Sequence, residues 1–177
     1  LAISLVLMAI DRVRAEFEHL ASHDSLTNAL SRRNLTSVCQ QELERCYRHG
    51  RMMSVLLIDI DHFKSINDNF GHQAGDRALV QFVQTVTTLL RRADVIGRLG
   101  GEEFVVVLPE TQIDVALVVA ERIRRKVSEM SDPKKFTVSI GVTTNQSSDD
   151  SVDDLMARAD RAMYQAKQAG RDQVIQN

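Results

Sequence analysis

Two adjacent glycines, Gly100 and Gly101, restrict the fold of this chain more than any other feature of its sequence. They lie between two short, mainly apolar runs, 94–99 before the pair and 104–108 after it. This pattern predicts a β-hairpin with a two-residue turn, because glycine adopts the positive φ angles of such turns without a Cβ penalty. A turn without side chains would also let a bulky ligand approach the backbone.

Two carboxylates, Glu102 and Glu103, follow the glycines directly. Neighbouring side chains on a regular strand point to opposite faces, so the two are expected to do different work. One can face a ligand while the other faces the turn or the solvent. The alternative is a solvated, charged hairpin edge, which the hairpin alone would favour. A second acidic site earlier in the chain changes that balance.

That second site lies in the continuous apolar run 53–60, which predicts a central strand buried on both faces. Asp59 stands near its end, and Asp61 would share its face if the strand continued. A buried carboxylate is costly unless it is paired or binds a metal. Mg²⁺ commonly takes one or two carboxylates together with substrate phosphates. Asp59, the carbonyl of Ile60 and Glu102 could therefore converge on a cation if the two strands are neighbours.

The residues after the buried strand suit a nucleotide. A helix predicted to start at about Phe63 and Lys64 offers free amides and a favourable dipole to a phosphate, and Lys64 adds a positive charge. No Walker-type loop is present. Asn67 and Asp76 flank the segment 70–72, and an Asp carboxylate can accept the two adjacent donors of guanine while an Asn amide pairs its remaining edge. Helix capping is the alternative, and spacing alone favours it.

The predicted elements follow the order α, β, α, α, β-hairpin, α, β, α, β. One hairpin combined with helical crossovers predicts an α+β domain, with a mixed, mostly antiparallel sheet and helices packed on its faces. Cys39 and Cys46 are predicted to be small buried hydrophobes, because the chain has no CxxC pair or nearby histidine cluster. The formal net charge of −2 and the small aromatic fraction of 5% give no support for a DNA or RNA polymer as a partner.

The first 22 residues predict a separate helix ahead of a domain spanning 23–177. Apolar residues follow an a/d spacing that predicts a parallel two-stranded coiled coil, and a single amphipathic helix docked on its own domain is the alternative. They are Ile3, Val6, Ile10, Val13, Phe17 and Leu20. The apolar run 1–10 is half the length of a membrane span, so it fits the tail of a transmembrane helix or the core of an interface.

Several segments together resemble the signature of the GGDEF family of diguanylate cyclases, in its GGEEF form. The similarity extends from residue 23 to the C-terminus. The matching segments are 23–27 (HDSLT), 59–79 (DIDHFKSINDNFGHQAGDRAL), 98–104 (RLGGEEF), 139–143 (SIGVT) and 159–172 (ADRAMYQAKQAGRD). The resemblance implies a palm-like domain related to class III nucleotide cyclases, with a five-stranded central sheet surrounded by helices.

The resemblance also implies a reaction, the condensation of two GTP molecules into cyclic di-GMP with release of pyrophosphate. Two Mg²⁺ or Mn²⁺ ions per GTP are implied as cofactors, and Glu102 and Glu103 are both candidates for the proton acceptor. Because each domain holds one GTP, the product requires a homodimer that joins the catalytic faces, with the N-terminal helix holding the two domains together. The catalytic domain is expected in the cytoplasm of a bacterium, and inner-membrane anchoring of the full-length protein is left open.

By position, the resemblance assigns the metal and phosphate contacts. Asp59, the Ile60 carbonyl and Glu102 are implied to hold Mg²⁺. The Phe63 amide and Lys64 are implied to bind phosphates, with Lys64 stabilising charge in the transition state.

The remaining substrate contacts lie on three helices. The resemblance assigns Asn67, His72 and Asp76 to the guanine nucleoside. Lys167 and Arg171 are expected one helical turn apart near the end of the last helix, where they are implied to clamp the outer phosphates. The alternative for these two cations is a solvated helix end that the dipole favours.

A short motif ahead of the hairpin resembles the product-inhibition site of the same family. Arg91 and Asp94 form its RxxD pattern, and Arg122 is a candidate for a further arginine. The planar fork of arginine suits phosphate and the Hoogsteen edge of guanine. A helix C-terminus enriched in cations is the alternative, but the placement of the motif favours the regulatory interpretation.

The sequence departs from the family pattern in two places. Asn28-Ala29 replaces the usual Gly-Leu, and Ser31-Arg32-Arg33 replaces Asn-Arg-Arg; Asn tolerates the left-handed conformation that glycine would supply.

Two other functions compete with that of an active diguanylate cyclase. The first competing function is a catalytically inactive module that binds GTP or cyclic di-GMP. The second is a cyclase or polymerase-like enzyme for another nucleotide. The metal aspartate and both hairpin acids favour an active enzyme, and Asn67 with Asp76 disfavours other bases.

Overall fold

The computed structural model describes residues 22–131, 134–146 and 150–177. Its helices are α1 (Arg32–Arg48), α2 (Phe63–Phe70), α3 (His72–Leu89), α4 (Ile113–Ser128) and α5 (Val152–Gln168). Its strands are β1 (Ser54–Ile60), β2 (Val95–Gly100), β3 (Glu103–Leu108), β4 (Val138–Thr144) and β5 (Val174–Gln176). The predicted order of elements and the predicted α+β class are confirmed.

The strands form one five-stranded sheet in the order β2-β3-β1-β4-β5. The central strand β1 pairs antiparallel with both β3 and β4, and β2 pairs antiparallel with β3. The short β5 lies parallel to β4 at one edge. The hairpin β2–β3 therefore lies directly beside β1. The sequence predicts that Asp59 and Glu102 converge only if these strands are neighbours.

Helices cover both faces of the sheet, since alternate strand residues contribute to two separate cores. On one face, Leu56, Ile58 and Phe104 pack with residues of α3 and α4. On the other face, Leu57 and Val105 pack with residues of α1 and α5. A strand buried on both faces needs this arrangement, and it explains the uninterrupted apolar run of β1.

The hairpin differs from its prediction by one residue. The turn consists of Gly101 and Glu102, because Gly100 still pairs with Glu103 and a bulge occurs between Arg98 and Gly100. Gly101 has φ +52° and Gly100 has φ +147°, so both positions require glycine-like freedom.

The sequence, with glycines at 71 and 75, predicts a connection between α2 and α3 over 71–75, and the structure has a shorter one. Gly71 alone separates the two helices, and Gly75 lies inside α3. A Cβ on Gly75 would collide with the side chain of Asn67, so this glycine is explained by the close approach of α2 rather than by a turn.

The turn before α1 forms as expected despite its unusual residues. Asn28 adopts φ +60°, and Asp24 Oδ1 accepts hydrogen bonds from the amide and hydroxyl of Thr27 at 2.9 and 2.7 Å. The sequence predicts Ser31 as the N-cap of α1, and its side chain accepts a hydrogen bond from the Asn34 amide there. Cys39 and Cys46 are buried and free, and burial raises the pKa of the Cys39 thiol to about 11.

Residues 1–21 lie outside the part of the chain that the structure describes. The coiled coil, the boundary at residue 22 and the membrane-tail alternative concern this segment, and they remain predictions. Within the described ranges, no helix combines the length and apolar character needed to cross a bilayer.

Candidate active site

Asp59 lies at the C-terminal end of β1, where the sheet meets the hairpin. Its side chain is 5% exposed and its Oδ2 lies 2.8 Å from Nζ of Lys167 on α5. Burial raises the pKa of Asp59 to about 6; the contact with Lys167 lowers it, and the charges of Glu102 and Glu103 raise it further. The site therefore holds more negative charge than its one close lysine compensates.

The two hairpin acids lie on either side of the end of β3. Glu103 is the register partner of Asp59, so the two residues stand directly opposite each other on one face of the sheet. Glu102 belongs to the turn, and its carbonyl accepts the Ile60 amide at 3.3 Å. Like charges placed opposite each other destabilise a sheet, and this arrangement suits a site that takes up a cation.

The donor set fits a hard divalent cation that is only partly enclosed by protein. Three carboxylates gather here, yet the described residues contain no group of three His, Cys, Asp or Glu side chains arranged as a preformed metal cage. Mg²⁺ characteristically binds through few carboxylates and completes its shell with waters and substrate phosphates. Asp59, Glu102 or Glu103, and the carbonyl of Ile60 are the oxygens available for it.

The N-terminus of α2 starts two residues after β1 and has free amides. His62 takes a left-handed conformation with φ +55°, and its carbonyl accepts the amides of Ser65 and Ile66. Among the described residues nothing accepts a hydrogen bond from the amides of Phe63 and Lys64. The side chain of Phe63 is buried in the core and that of Lys64 is exposed. This helix start can bind an anion.

The predicted base contacts lie where α2 and α3 approach each other. Asn67 on α2 lies over Gly75, and His72 and Asp76 occupy the first turns of α3 with exposed side chains. Neither α2 nor α3 has a side-chain cap at its start, and α2 ends on a backbone bond from Gly71 to the Asn67 carbonyl. The capping alternative for Asn67 and Asp76 is therefore wrong.

The two predicted phosphate-clamping cations are not one helical turn apart. Lys167 lies in the last turn of α5 and pairs with Asp59, so it is not part of a solvated helix end. Arg171 lies beyond the helix, in a left-handed conformation with φ +66°. Gly170 with φ +115° lets the chain leave the helix axis, which is why helical spacing does not hold here.

The RxxD motif lines a separate groove of about 760 Å³ between α3, the turn before α1 and β2. Arg91 donates to both carboxylate oxygens of Asp94 at 3.2 and 3.0 Å and to Thr111 Oγ1 at 2.8 Å. Arg122 donates to the carbonyl of Leu89, two residues before Arg91. The structure thus brings the three predicted product-site residues to one region, directly after the end of α3 at Leu89 and its C-cap Leu90.

Residues 21–173 match the family model described as diguanylate cyclase, GGDEF domain. The chain belongs to this family. The diguanylate cyclase DgcM of Escherichia coli K12 is 40% identical over 166 residues, which cover 93% of this chain and 40% of that protein. The response regulator PleD of Caulobacter vibrioides NA1000 is 40% identical over 175 residues, covering 93% of this chain and 38% of PleD. The GGDEF-family chain thus spans about two fifths of the length of these relatives.

Solved structures confirm the predicted cyclase-type fold of this GGDEF domain. The coiled coil and GGDEF domain of DgcB from Caulobacter crescentus, in complex with c-di-GMP, gives a TM-score of 0.90 at 27% identity, covering 99% of this chain and 97% of that one. The active GGEEF domain of a diguanylate cyclase from Vibrio cholerae gives a TM-score of 0.79 at 33% identity, covering 82% and 96% of the two chains.

Sequence reasoning missed how the hairpin tip of the GGDEF domain is held. Arg98 donates to the carbonyl of Gly101 through Nε at 3.1 Å and Nη2 at 2.7 Å, and its Nη1 donates to Asp24 Oδ1 at 3.0 Å. The tip that carries Glu102 is thus bonded to the turn that starts the domain. From the sequence, Asp24 is predicted only to hydrogen-bond nearby backbone amides in a turn, and the fold brings it to Arg98.

Asp61 also has a role that its sequence position did not indicate. β1 ends at Ile60, and Asp61, directly after it, is buried. Its carboxylate accepts hydrogen bonds from Thr137 at 2.7 Å, Ser139 at 2.7 Å and the amide of Asp172 at 3.1 Å. Asp61 therefore ties β4 and the segment after α5 to the floor of the site.

Proposed function

We propose that this chain is the catalytic domain of a diguanylate cyclase, which condenses two GTP molecules into cyclic di-GMP and releases two pyrophosphates. The observation that carries the proposal is the gathering of Asp59, Glu102 and Glu103 beside the open N-terminus of α2. Relatives that cover most of the chain are named diguanylate cyclases, and a structural neighbour is described in complex with c-di-GMP.

The same acids fit Mg²⁺ or Mn²⁺, which we propose as the cofactor, with two ions per GTP. Asp59, the carbonyl of Ile60 and Glu102 would hold the metal. Glu103, opposite Asp59, would add negative charge beside it. A divalent cation at this position supplies charge stabilisation for the entering and leaving oxygens of phosphoryl transfer.

The residues around these acids would bind and orient the triphosphate. The Phe63 amide and Lys64 face the phosphates from the start of α2, and Lys64 stabilises the charge that develops on them. Lys167 and Arg171 contact the outer phosphates. Glu102 or Glu103 accepts the proton of the 3′-hydroxyl as it attacks the α-phosphorus of the partner GTP.

Asn67, His72 and Asp76 would bind the guanine nucleoside between α2 and α3. Asp76 accepts the N1–H and N2–H₂ donors of guanine, and Asn67 pairs the remaining edge. Adenine lacks that pair of donors, and a site built to hydrogen-bond them can reject such a mismatch by factors of up to about 10⁴.

One domain supplies one half of the reaction, so the proposal includes a homodimer with its catalytic faces opposed. The segment 1–22, as a coiled coil, would raise the effective concentration of one half-site for the other. We place the domain in the cytoplasm, where GTP is available.

Incubation of the purified protein with Mg²⁺ and either GTP or ATP, followed by chromatographic identification of products, tests the proposal. Cyclic di-GMP from GTP alone is the expected result. A folded dimer that consumes no GTP but binds it, or binds cyclic di-GMP, would establish the inactive binding module instead. A cyclic product from ATP would establish the second competing function.

Replacing Gly75 by alanine is expected to weaken GTP binding without destabilising the fold. The new Cβ occupies the position of the Asn67 side-chain amide and lies against the tip of Phe63, while alanine is a better helix former by about 1 kcal/mol. KM for GTP rises about tenfold, which corresponds to about 1.4 kcal/mol, and Tm does not fall. In an Asn67→Ala background the same substitution has no further effect on KM; an unchanged KM in Gly75→Ala alone would contradict the role of Asn67.

Replacing Arg91 by alanine is expected to leave turnover intact and raise the concentration of cyclic di-GMP needed for half-inhibition at least about tenfold, since a planar arginine fork on phosphate or guanine contributes about 1.5–3 kcal/mol. Tm falls slightly because Asp94 and Thr111 lose a partner. Initial rates measured against added product provide the test, with the exposed Arg161→Ala as control. Inhibition unchanged by Arg91→Ala would argue against a product site in this groove.

A further inference from the structure

The segment directly after α5 has a backbone conformation that side-chain-bearing residues rarely adopt. Arg171 has φ +66° and Asp172 has φ +47°, after Gly170 with φ +115°. This conformation strains Arg171, while an Asp such as Asp172 adopts it more readily. Two in succession persist only where the surrounding contacts determine them, and such strain concentrates at functional sites.

Contacts on both sides of Asp172 hold this conformation. Its amide donates to Asp61 Oδ2 at 3.1 Å, and its Oδ1 accepts Nη1 of Arg124 at 2.6 Å. The same Nη1 donates to the Asp172 carbonyl at 3.3 Å, and the Arg171 amide donates to the carbonyl of Ala166 at 2.9 Å. The backbone on both sides of Arg171 is therefore fixed, while its own side chain is left out of the network.

Arg124 is itself held rigidly, because the other edge of its guanidinium binds Glu121 on the same helix. Nε and Nη2 donate to the two carboxylate oxygens of Glu121 at 2.9 and 2.8 Å. The hydrogen bond to Glu121 and then those to Asp172 raise the pKa of Arg124 above its ordinary value. Bidentate pairing on one edge orients the other edge toward Asp172.

The network ends beside the acids of the site. Asp61 lies two residues after Asp59, and Lys167, four residues before Arg171, pairs with Asp59. The Arg171 side chain is exposed and makes no hydrogen bond or ion pair to the described residues. A free guanidinium thus stands on a fixed backbone next to the proposed triphosphate site.

We propose that Arg124 and Asp172 are positioning residues that hold Arg171 where its guanidinium reaches the outer phosphates of GTP. The inference rests on the proposed function, because it deepens the role of Arg171 in that site. Neither positioning side chain contacts the nucleotide. Arg124 acts from α4 through Asp172, and Asp172 acts through the backbone that it shares with Arg171.

Steady-state kinetics of Arg124→Ala test this positioning role. KM for GTP rises about tenfold and kcat stays within about twofold, because Arg171 already contacts the outer phosphates in the ground state and so contributes mainly to binding. The affinity for 3′-deoxy-GTP, which lacks the attacking hydroxyl, falls by the same factor in calorimetry. Arg161→Ala removes an exposed arginine on α5, outside this network, and both constants stay at their wild-type values.

The double variant separates positioning from a general structural effect. If Arg124 acts through Arg171, then Arg124→Ala has no further effect on KM in an Arg171→Ala background. A KM in the double variant that rises by the product of the two single-variant factors would overturn the proposal. An unchanged KM in Arg124→Ala alone would overturn it as well. Should Arg124→Ala fail to fold, Asp172→Asn keeps the shape and the left-handed tolerance but removes the ion pair, and the same tenfold rise is expected.

The failure of this inference differs from the failure of the proposed function. A protein that makes cyclic di-GMP with normal KM after Arg171→Ala would overturn the positioning role and leave the cyclase reaction standing. A folded wild-type dimer that makes no cyclic di-GMP would overturn the function itself.

Discussion

Replacing Asp59 by asparagine abolishes cyclic di-GMP formation, with an expected loss in kcat on the order of 10³-fold, or about 4 kcal/mol. Asparagine keeps the shape of the side chain but removes one of the charges that the metal requires. Asp160→Asn, an exposed aspartate on α5, is the matched control and retains full activity. Turnover within tenfold of wild type in the Asp59→Asn variant would contradict the assigned metal site.

The same substitution is expected to stabilise the metal-free protein. Burial raises the pKa of Asp59 from 3.8 to about 6 in the folded state. Between these values the unfolded chain ionises while the folded protein keeps its proton, so the wild-type protein loses stability as pH rises. Thermal unfolding in EDTA should show a Tm advantage of Asp59→Asn that grows from pH 4 to pH 6 and then stays constant. An advantage that shrinks over this range would contradict the raised pKa.

Replacing Arg98 by alanine is expected to lower kcat on the order of 10²-fold while the domain stays folded. The substitution removes both hydrogen bonds to the Gly101 carbonyl and the ion pair with Asp24, so the tip carrying Glu102 loses its fixed position. A misplacement of about 1 Å at reacting groups costs about 10²-fold in rate. Steady-state rates and circular dichroism on the same samples provide the measurement.

A graded series tests whether the hairpin position, and not the charge of Arg98, accounts for the loss. Asp24→Asn leaves the two bonds to Gly101 in place and should lose less activity than Arg98→Ala. Arg33→Ala, an exposed arginine on α1, is the control and should match wild type. Equal losses in Asp24→Asn and Arg98→Ala would show that the ion pair matters more than the contact with the hairpin.

Most of the fold follows from local patterns in the sequence. The apolar run of β1 identified a strand buried on both faces, and the glycine pair identified the hairpin beside it. Asn28 at φ +60° confirmed that asparagine can take the place of glycine in the first turn. These features are decided within a few residues, where propensity and periodicity are informative.

The features that the sequence did not predict depend on contacts between distant segments. Gly75 resembles a turn glycine, but the crossing of α2 explains it. Asp61 bonds to residues more than 70 positions away, and Arg98 bonds to Asp24 across 74 positions. Arg171 departs from helical spacing in a segment where the Asp172 amide donates to Asp61 and Arg124 donates to the Asp172 carboxylate. None of these pairings leaves a periodic signal in the chain.

A crystal structure of the protein with Mg²⁺ and 3′-deoxy-GTP would show where the metal and the base bind, because this nucleotide can bind but cannot attack. We expect a metal ion on Asp59 and at least one hairpin acid, guanine against Asn67 and Asp76, and Lys167 moved from Asp59 to the outer phosphates. A nucleotide bound elsewhere, with Lys167 still paired to Asp59, would contradict these assignments.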